Sequence, residues 1–473
     1  MKTLLPALMA LTLAFPAAAQ VLESIEVHLL EVEASVVGRD GKPVDGLTQD
    51  DFAVEIDGKP AEVTNFFAVR RGRVDDGDPA TPERVVPARM TIFVDDMHLH
   101  PIAKAHAMQA LRRFVENGLD PAATTSIVSW NGSLKVVVPP TKDRAKLLAG
   151  VAAIAKEPGR LPPPEASDEA FLEMVAESTD VPEHFRDLAR MRSLQSTQTM
   201  KGLSEVIRSM AGLTGRRTVL VVGQGLPMAR REATDSLVDT AQQSGVAVSA
   251  LDPSFSEEQG ELSKQALRTA AAETGGRLIE HQNDLGQALA SVTEQATTYY
   301  SLAVRAPSAA KAFDVDVKLR NHPDLRVTTA GRRGVPTMEE RIASTLRARL
   351  YSREQENPLG VLVALVPPHK TGGRCAAAFQ VAVPSTQLTL LPVGDGMKGE
   401  MAVRFAVLDD RDSESEVQTT AKEIWPAKGE VVRETVTIGL QPGRKYVLSV
   451  AITDGLSQET SYLQTEIDSA ACR

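Results

Sequence analysis

After residue 24, hydrophobic and polar positions alternate one by one through the first part of the chain. Ile25, Val27 and Leu29 form one such run and Phe52, Val54 and Ile56 another, the two-residue period that sets one face of a strand against a core. Asp40-Gly41 and Asp57-Gly58 punctuate these runs as hairpin turns, because both dipeptides accept the backbone of a tight turn. The pattern predicts a β module over residues 20–70. The stretch "RGRVDDGDPATPERVVPAR" that follows is rich in Pro, Gly and charge, has no period, and reads as a linker over 71–88.

At Met90 the pattern changes to strands alternating with helices. "MTIFV" precedes a helix from about Ile102 to Leu119, where Ala107, Leu111, Phe114 and Val115 share one face. "TSIVSW" and "LKVVVPP" read as strands joined by a hairpin turn at "WNGS", and "KDRAKLLAGVAAIA" as a helix. Residues 157–192, with "PGRLPPPEASDE", interrupt the order as an insertion carrying some helix. "TQTMKGLSEVIRSMAGLTG" is a helix closed by Gly215, and "RTVLVVGQG" is apolar throughout, as buried parallel strands are. "ATDSLVDTAQQSG", "VAVSALDP", "LSKQALRTAAAETGG" and "RLIE" continue the alternation, with Gly275-Gly276 as a helix-ending turn. Such a chain predicts a doubly wound, Rossmann-like α/β fold over 89–297.

Single alternation returns in "YYSLAVRA", "FDVDVKLR" and "LRVTTAGR", with no helices between them. Strands over 298–335 cannot extend a parallel sheet, and the N-terminal module is their expected partner. One ring of Tyr299-Tyr300 is expected to face inward and the other outward. A helix at about Met338 to Arg353 lies in a connecting stretch, 336–356. Over 357–473, "LGVLVALVPP", "RCAAAFQVAVP", "GEMAVRFAVLDD", "VVRETVTIGL" and "KYVLSVAITDG" predict an immunoglobulin-like β-sandwich. The acid pairs Asp50-Asp51 and Asp409-Asp410 read as residues of solvated turns.

Composition narrows the functional classes. Hydrophobic residues make up 42% of the 473, enough for several cores, whereas aromatics make up only 4%, so Val, Leu, Ile and Ala must fill them. The net charge of −10 without a basic cluster excludes a nucleic-acid partner, which requires a Lys/Arg footprint. "MKTLLPALMALTLAFPAAAQ" has a cationic start, an apolar run and Ala17-Ala18-Ala19, the pattern of a signal peptide over 1–19. No later segment reaches the roughly 18 uninterrupted apolar residues of a membrane span. An exported protein, periplasmic or secreted, is expected. In an oxidising compartment Cys375 and Cys472, the chain's only two cysteines, are expected to form a disulfide.

Three passages resemble exported bacterial proteins related to the von Willebrand factor type A domain. "VVGRDGKPVDGLTQDDFAVEIDGKPAEVTNF" is similar to the module that precedes that domain, "AAETGGRLIE" with "YYSLAVRAP" to its end, and "LRVTTAGRRGV" to its closing strand. The resemblance covers about residues 25–335. It implies a domain that often holds Mg²⁺ in a metal-ion-dependent adhesion site, built from Asp-x-Ser-x-Ser, a Thr and a further Asp, and that binds proteins without catalysis.

The stretch "TIFVDDMHLHP" falls where that site begins. Asp95 takes the Asp position, but Met97 and Leu99 stand at the two Ser positions, and Gln224 of "VVGQGLP" stands at the second acid. Thr197 or Thr199 supplies the Thr. These substitutions remove oxygen donors that a hard cation requires, so a degenerate site is expected, with neither cofactor nor adhesion metal. The expected function is non-catalytic binding of an unidentified protein at the top loops, through Asp95, Asp96, Met97, His98, Leu99, His100, Thr199 and Gln224. In a shifted register, Asp96, His98 and His100 make a carboxylate–imidazole set suited to Zn²⁺, with His106 nearby, which implies a metal-assisted hydrolase instead. A structural envelope component is the third reading.

Overall fold

The computed structural model describes residues 29–39, 42–75, 85–158, 183–213, 215–254, 261–280, 285–306, 312–329, 332–334, 337–351, 355–371, 374–394, 396–410, 414–427 and 429–472. The expected signal peptide, the expected turn at Asp40-Gly41, residues 76–84 of the expected linker and residues 159–182 of the expected insertion lie outside them.

The alternating N-terminal runs and the strands after the α/β segment build one unit. Leu29–Val37 pairs antiparallel with Tyr299–Arg305, which in turn pairs with Val63–Arg70. Phe52–Ile56 pairs with Ala312–Leu319 on one side and with Lys59–Ala61, across the Asp57-Gly58 turn, on the other. The two sheets share a core that includes Val32, Phe52, Leu302 and Phe313. Tyr299 and Tyr300 are both buried, which corrects the expectation that one ring faces outward. The Arg216 guanidinium stacks 4.9 Å from the Tyr299 ring centre, and Tyr300 packs on Phe52 and Phe66. The Tyr300 hydroxyl donates to the Val44 carbonyl at 2.8 Å and accepts from the Leu47 N–H at 3.2 Å. Tyr300→Phe keeps the ring but strands both backbone groups. A loss of about 1 to 3 kcal/mol is expected, read as a lower urea midpoint at unchanged slope.

Between the two halves of this unit stands a six-stranded sheet. In chain order its strands are β1 (Ala88–Asp95), β2 (Thr124–Trp130), β3 (Leu134–Thr141), β4 (Arg216–Val222), β5 (Val246–Leu251) and β6 (Leu278–Ile279). Their spatial order is β6-β5-β4-β1-β2-β3, all parallel except β3, which forms a hairpin on β2. Among the described residues seven helices accompany the sheet or follow it: α1 (Pro101–Arg113), α2 (Arg144–Lys156), α3 (Glu183–Met210), α4 (Arg231–Ser244), α5 (Glu261–Thr274), α6 (Leu285–Thr297) and α7 (Met338–Tyr351). Side chains of α1, α2 and α6 cover one face and those of α3, α4 and α5 the other, the doubly wound arrangement that the alternation predicts. The face expected for α1 is fully buried at Ala107, Leu111, Phe114 and Val115, the last two in a π-turn that extends the helix.

Two boundaries differ from the pattern. The helix expected from Thr197 begins at Glu183, so the end of the insertion and the helix after it are one 28-residue element. That element stops at Met210, and Gly215 is not its cap. Gly215 has φ +86°, and a Cβ there would lie 1.9 Å from the Pro87 carbonyl oxygen. It is glycine because β4 enters the sheet against the start of β1.

The C-terminal residues form two antiparallel sheets around one core. Leu362–Thr371, Arg374–Pro384 and Val431–Leu440 make the first. In the second, Gly396–Asp409 is the hub for Gln418–Ile424, Leu391–Val393 and Lys445–Asp454, and Thr460–Asp468 closes the far edge. Phe379, Val403, Leu448 and Ile452 fill the space between them. Cys375 and Cys472 form a disulfide within that core. Asp409 and Asp410 are not merely solvated turn residues, because both bind the Arg444 guanidinium, Asp409 at 2.8 Å. Helix α7 joins this unit to the rest. Ile342, Leu346 and Leu350 pack on Ala406, Leu408 and Ala451, while the Thr345 hydroxyl donates to the Gly212 carbonyl beyond the end of α3.

Candidate functional site

Strand order reverses between β1 and β4, and the crevice at the carboxyl ends of strands at such a switch point is where open α/β sheets bind ligands. The loop after β1, residues 96–100, and the loop after β4, residues 223–230, border that crevice here. The two approach closely at their roots, where a Cβ on Gly223 would meet the Asp95 Cβ at 3.2 Å.

Most of the polar side chains of "DDMHLH" turn inward. Asp95 is 1% exposed, Asp96 8% and Leu99 1%, and the His98 side chain is only 2% exposed. Each acid has its own partner. The Asp95 carboxylate meets His98 Nδ1 at 2.7 Å and accepts from the Met97 N–H at 3.2 Å. Asp96 binds the Lys104 ammonium at 2.8 Å, and Lys104 itself is buried on the inner face of α1. Burial pushes the Asp96 carboxyl above the usual carboxylate range, while Lys104 pulls it back. A third pair sits at the end of β5, where Asp252 binds Lys264 at 2.8 Å with both side chains out of solvent.

Gln224 fastens the loops together. Its Oε1 accepts from the His100 N–H at 2.7 Å, and its Nε2 donates to the Ser254 hydroxyl at 3.0 Å. Pro101 opens α1 at the first helical position, where its missing N–H costs nothing. Thr199 is 1% exposed, in the middle of α3 rather than on a loop, and its hydroxyl has no partner among the described residues. Thr197 donates to the Ser193 carbonyl one turn back. His106 meets the Pro253 carbonyl at 3.1 Å.

Two expectations are corrected by these positions. Asp96, His98 and His100 do not assemble as a ligand set, because Asp96 is held by Lys104, His98 by Asp95, and the His100 backbone by Gln224. Among the described residues no three His, Cys, Asp or Glu side chains converge. Nor can Asp95, Asp96, His98, Leu99 and Thr199 present side chains to a partner, since all five are enclosed. The accessible rim consists of Met97 and His100, both half-buried, and Ile102, 67% exposed at the start of α1. Sequence reasoning missed Lys104, Lys264, Asp252 and Ile102. Lys104 shares the buried stripe of Ala107, Met108 and Leu111, and Lys264 that of Leu267 and Ala271. A lysine on an apolar stripe signals a buried acid partner.

No family model and no curated protein matches the sequence. Solved structures similar to the chain include a von Willebrand factor type A protein from Catenulispora acidiphila, 9% identical, with 88% of this chain and 73% of that one covered and a TM-score of 0.27. An aerotolerance-related membrane protein from Bacteroides fragilis is 12% identical, with 44% and 98% covered and a TM-score of 0.26. The conserved hypothetical protein BatB from Bacteroides thetaiotaomicron is 13% identical, with 44% and 98% covered and a TM-score of 0.25. The fold assignment rests on the strand order and helix layers described above, not on these scores. Among the described residues no helix is long and apolar enough to cross a membrane.

Proposed function

We propose that the chain is an exported, non-catalytic protein-binding module of the von Willebrand factor type A kind, whose adhesion site has become metal-independent. In this reading residues 1–19 direct export to the periplasm or beyond. The type A-like domain spans 89–297, between a β module over 20–70, joined through the linker 71–88, and its partner strands over 298–335. The stretch 336–356 connects it to an immunoglobulin-like sandwich over 357–473.

One observation carries the proposal: side chains within the chain already engage the acids at the crevice. Asp95 has His98, Asp96 has Lys104 and Asp252 has Lys264. Met97 and Leu99 offer no oxygen, and the Gln224 amide is spent on His100 and Ser254. Such a donor set does not fit Mg²⁺, which demands several oxygen ligands in near-octahedral geometry. The crevice therefore has a fixed shape without a metal, and the side chains left to meet a partner are Met97, His100 and Ile102.

Photo-crosslinking from the α1 start, in the cells that make the protein, tests this reading. A captured protein is expected, lost when Met97, His100 and Ile102 are all changed to Asp and indifferent to EDTA or added Zn²⁺. Met97 also packs against the core beneath the crevice, so a urea midpoint must show that the triple variant is folded before its loss of capture counts. Unchanged capture by the triple variant would move the interface elsewhere, and capture abolished by EDTA would overturn the metal-independent site.

A further inference from the structure

At the other end of the sheet, where α3 and α7 meet the first halves of β1 and β2, lies a cavity of ≈ 70 Å³. Its walls are mostly apolar, including Val128, Leu134, Val136, Val206, Met210 and Leu213. Among its polar groups is a hydroxyl pair between Thr91 and Ser126, 2.8 Å apart, on strand positions that would otherwise carry core side chains. A dry apolar cavity of about 150 Å³ accepts benzene, so this space suits a narrow chain rather than a ring. Fourteen residues of helix, about 21 Å at 1.5 Å per residue, separate Ser196 near the crevice from Met210 at the cavity, so the two places are distinct.

The charges around the cavity differ in how far they are committed. Arg89, on the inner wall, is buried and has its own partners. Glu414 lies beside the mouth, with Arg347 at 3.0 Å and the Tyr351 hydroxyl donating to it at 3.4 Å. Burial pushes its carboxyl above the usual range against the pull of Arg347 and Tyr351, and nearby Glu205 adds to the rise. Glu205 lines the cavity from the exposed side of α3 and takes no hydrogen bond or ion pair among the described residues. The charge still open at the mouth is therefore negative.

We propose that this cavity binds a short aliphatic primary amine, its chain between β2, β3 and α3 and its ammonium at the mouth beside Glu205 and Glu414. The apolar side chains of the walls remove the chain from water, and the ammonium supplies the countercharge that Glu205 lacks while Arg347 holds Glu414. Because Glu205 belongs to α3, Tyr351 to α7 and Glu414 to the C-terminal unit, the ligand would touch all three where they converge.

Calorimetric titration of the full chain with n-pentylamine, 1-pentanol and pentanoate tests the site. The amine is expected to bind with a Kd of about 1 mM, the alcohol roughly fivefold more weakly, and pentanoate not at all. Glu205→Gln should bring the amine to the affinity of the alcohol without abolishing either. Val136→Trp, at a rim position 41% exposed, should fill the space and abolish both. If that variant does not fold, Ser209→Trp from the opposite wall makes the same test. No binding by any of the three compounds, equal affinity of amine and alcohol in the parent, or tighter binding of pentanoate would each overturn the proposal.

Discussion

Opening the Cys375–Cys472 bridge is expected to destabilise the C-terminal β unit by about 4 to 5 kcal/mol, because the cross-link closes a loop across 97 positions. In the chain-entropy account the bridge acts on the unfolded ensemble, and its contribution grows with the logarithm of the loop it closes. Its location adds to the effect. Cys375 is 2% and Cys472 0% exposed, and the bridge ties the last turn of the chain to the strand Arg374–Pro384 inside the shared core. Cys375→Ala with Cys472→Ala should therefore lower one calorimetric transition and leave another near its place. The α/β sheet has its own two cores and contains no cysteine. Trp130 and Trp425, the two tryptophans of the sequence, lie one in each unit and separate the events by fluorescence once either is changed to Phe. If the double variant melts as the parent does, with thiol titration confirming that the parent bridge is intact, the bridge carries no such load.

That pairing was legible because the sequence holds two cysteines, so that each has one possible partner. The alternation of periods was equally legible, and it reports burial directly: α1 buries the four positions its stripe names, and β4 is apolar from Val219 to Val222 because helices cover both faces. What escaped the sequence falls into two kinds. Strand Gln418–Ile424 is exposed at most of its positions and carries no apolar alternation, since its place comes from pairing with Gly396–Asp409. The inward turn of "DDMHLH" escaped for a different reason. A run of acids and imidazoles has the composition of a solvated loop, and its partners stand on other elements: Lys104 eight residues on, Gln224 across the sheet. Local pattern carries no information about such partners, except that a lysine on an apolar stripe asks for one. Tyr299 and Tyr300 follow the same logic, since period-two alternation predicts opposite faces but not that both faces are covered.

Lys104→Met should be the most damaging single change at the crevice, costing about 3 to 5 kcal/mol at neutral pH, because it leaves Asp96 charged, enclosed and without a cation. The pH dependence identifies the cause. Burial raises the Asp96 carboxyl in the folded state above its unfolded value. Between those two values the folded chain binds more protons than the unfolded one, so this group's contribution to stability falls as pH rises through the window and recovers as pH falls. Lys104 opposes the rise, and removing it widens the window upward. The deficit of Lys104→Met relative to the parent should thus be largest at neutral pH and shrink as the pH is lowered toward the carboxylate range, where a protonated Asp96 needs no countercharge. Asp96→Asn combined with Lys104→Met should recover much of the loss at neutral pH, since replacing both partners removes the stranded charge. Urea midpoints of the parent, the two single variants and the double variant across that pH range complete the cycle. A deficit independent of pH, or a double variant no more stable than Lys104→Met, would place the damage in lost packing along α1 instead. With the predicted recovery, a built-in ammonium is what keeps the crevice folded around its acids, so that no metal is required for the loops to hold their shape.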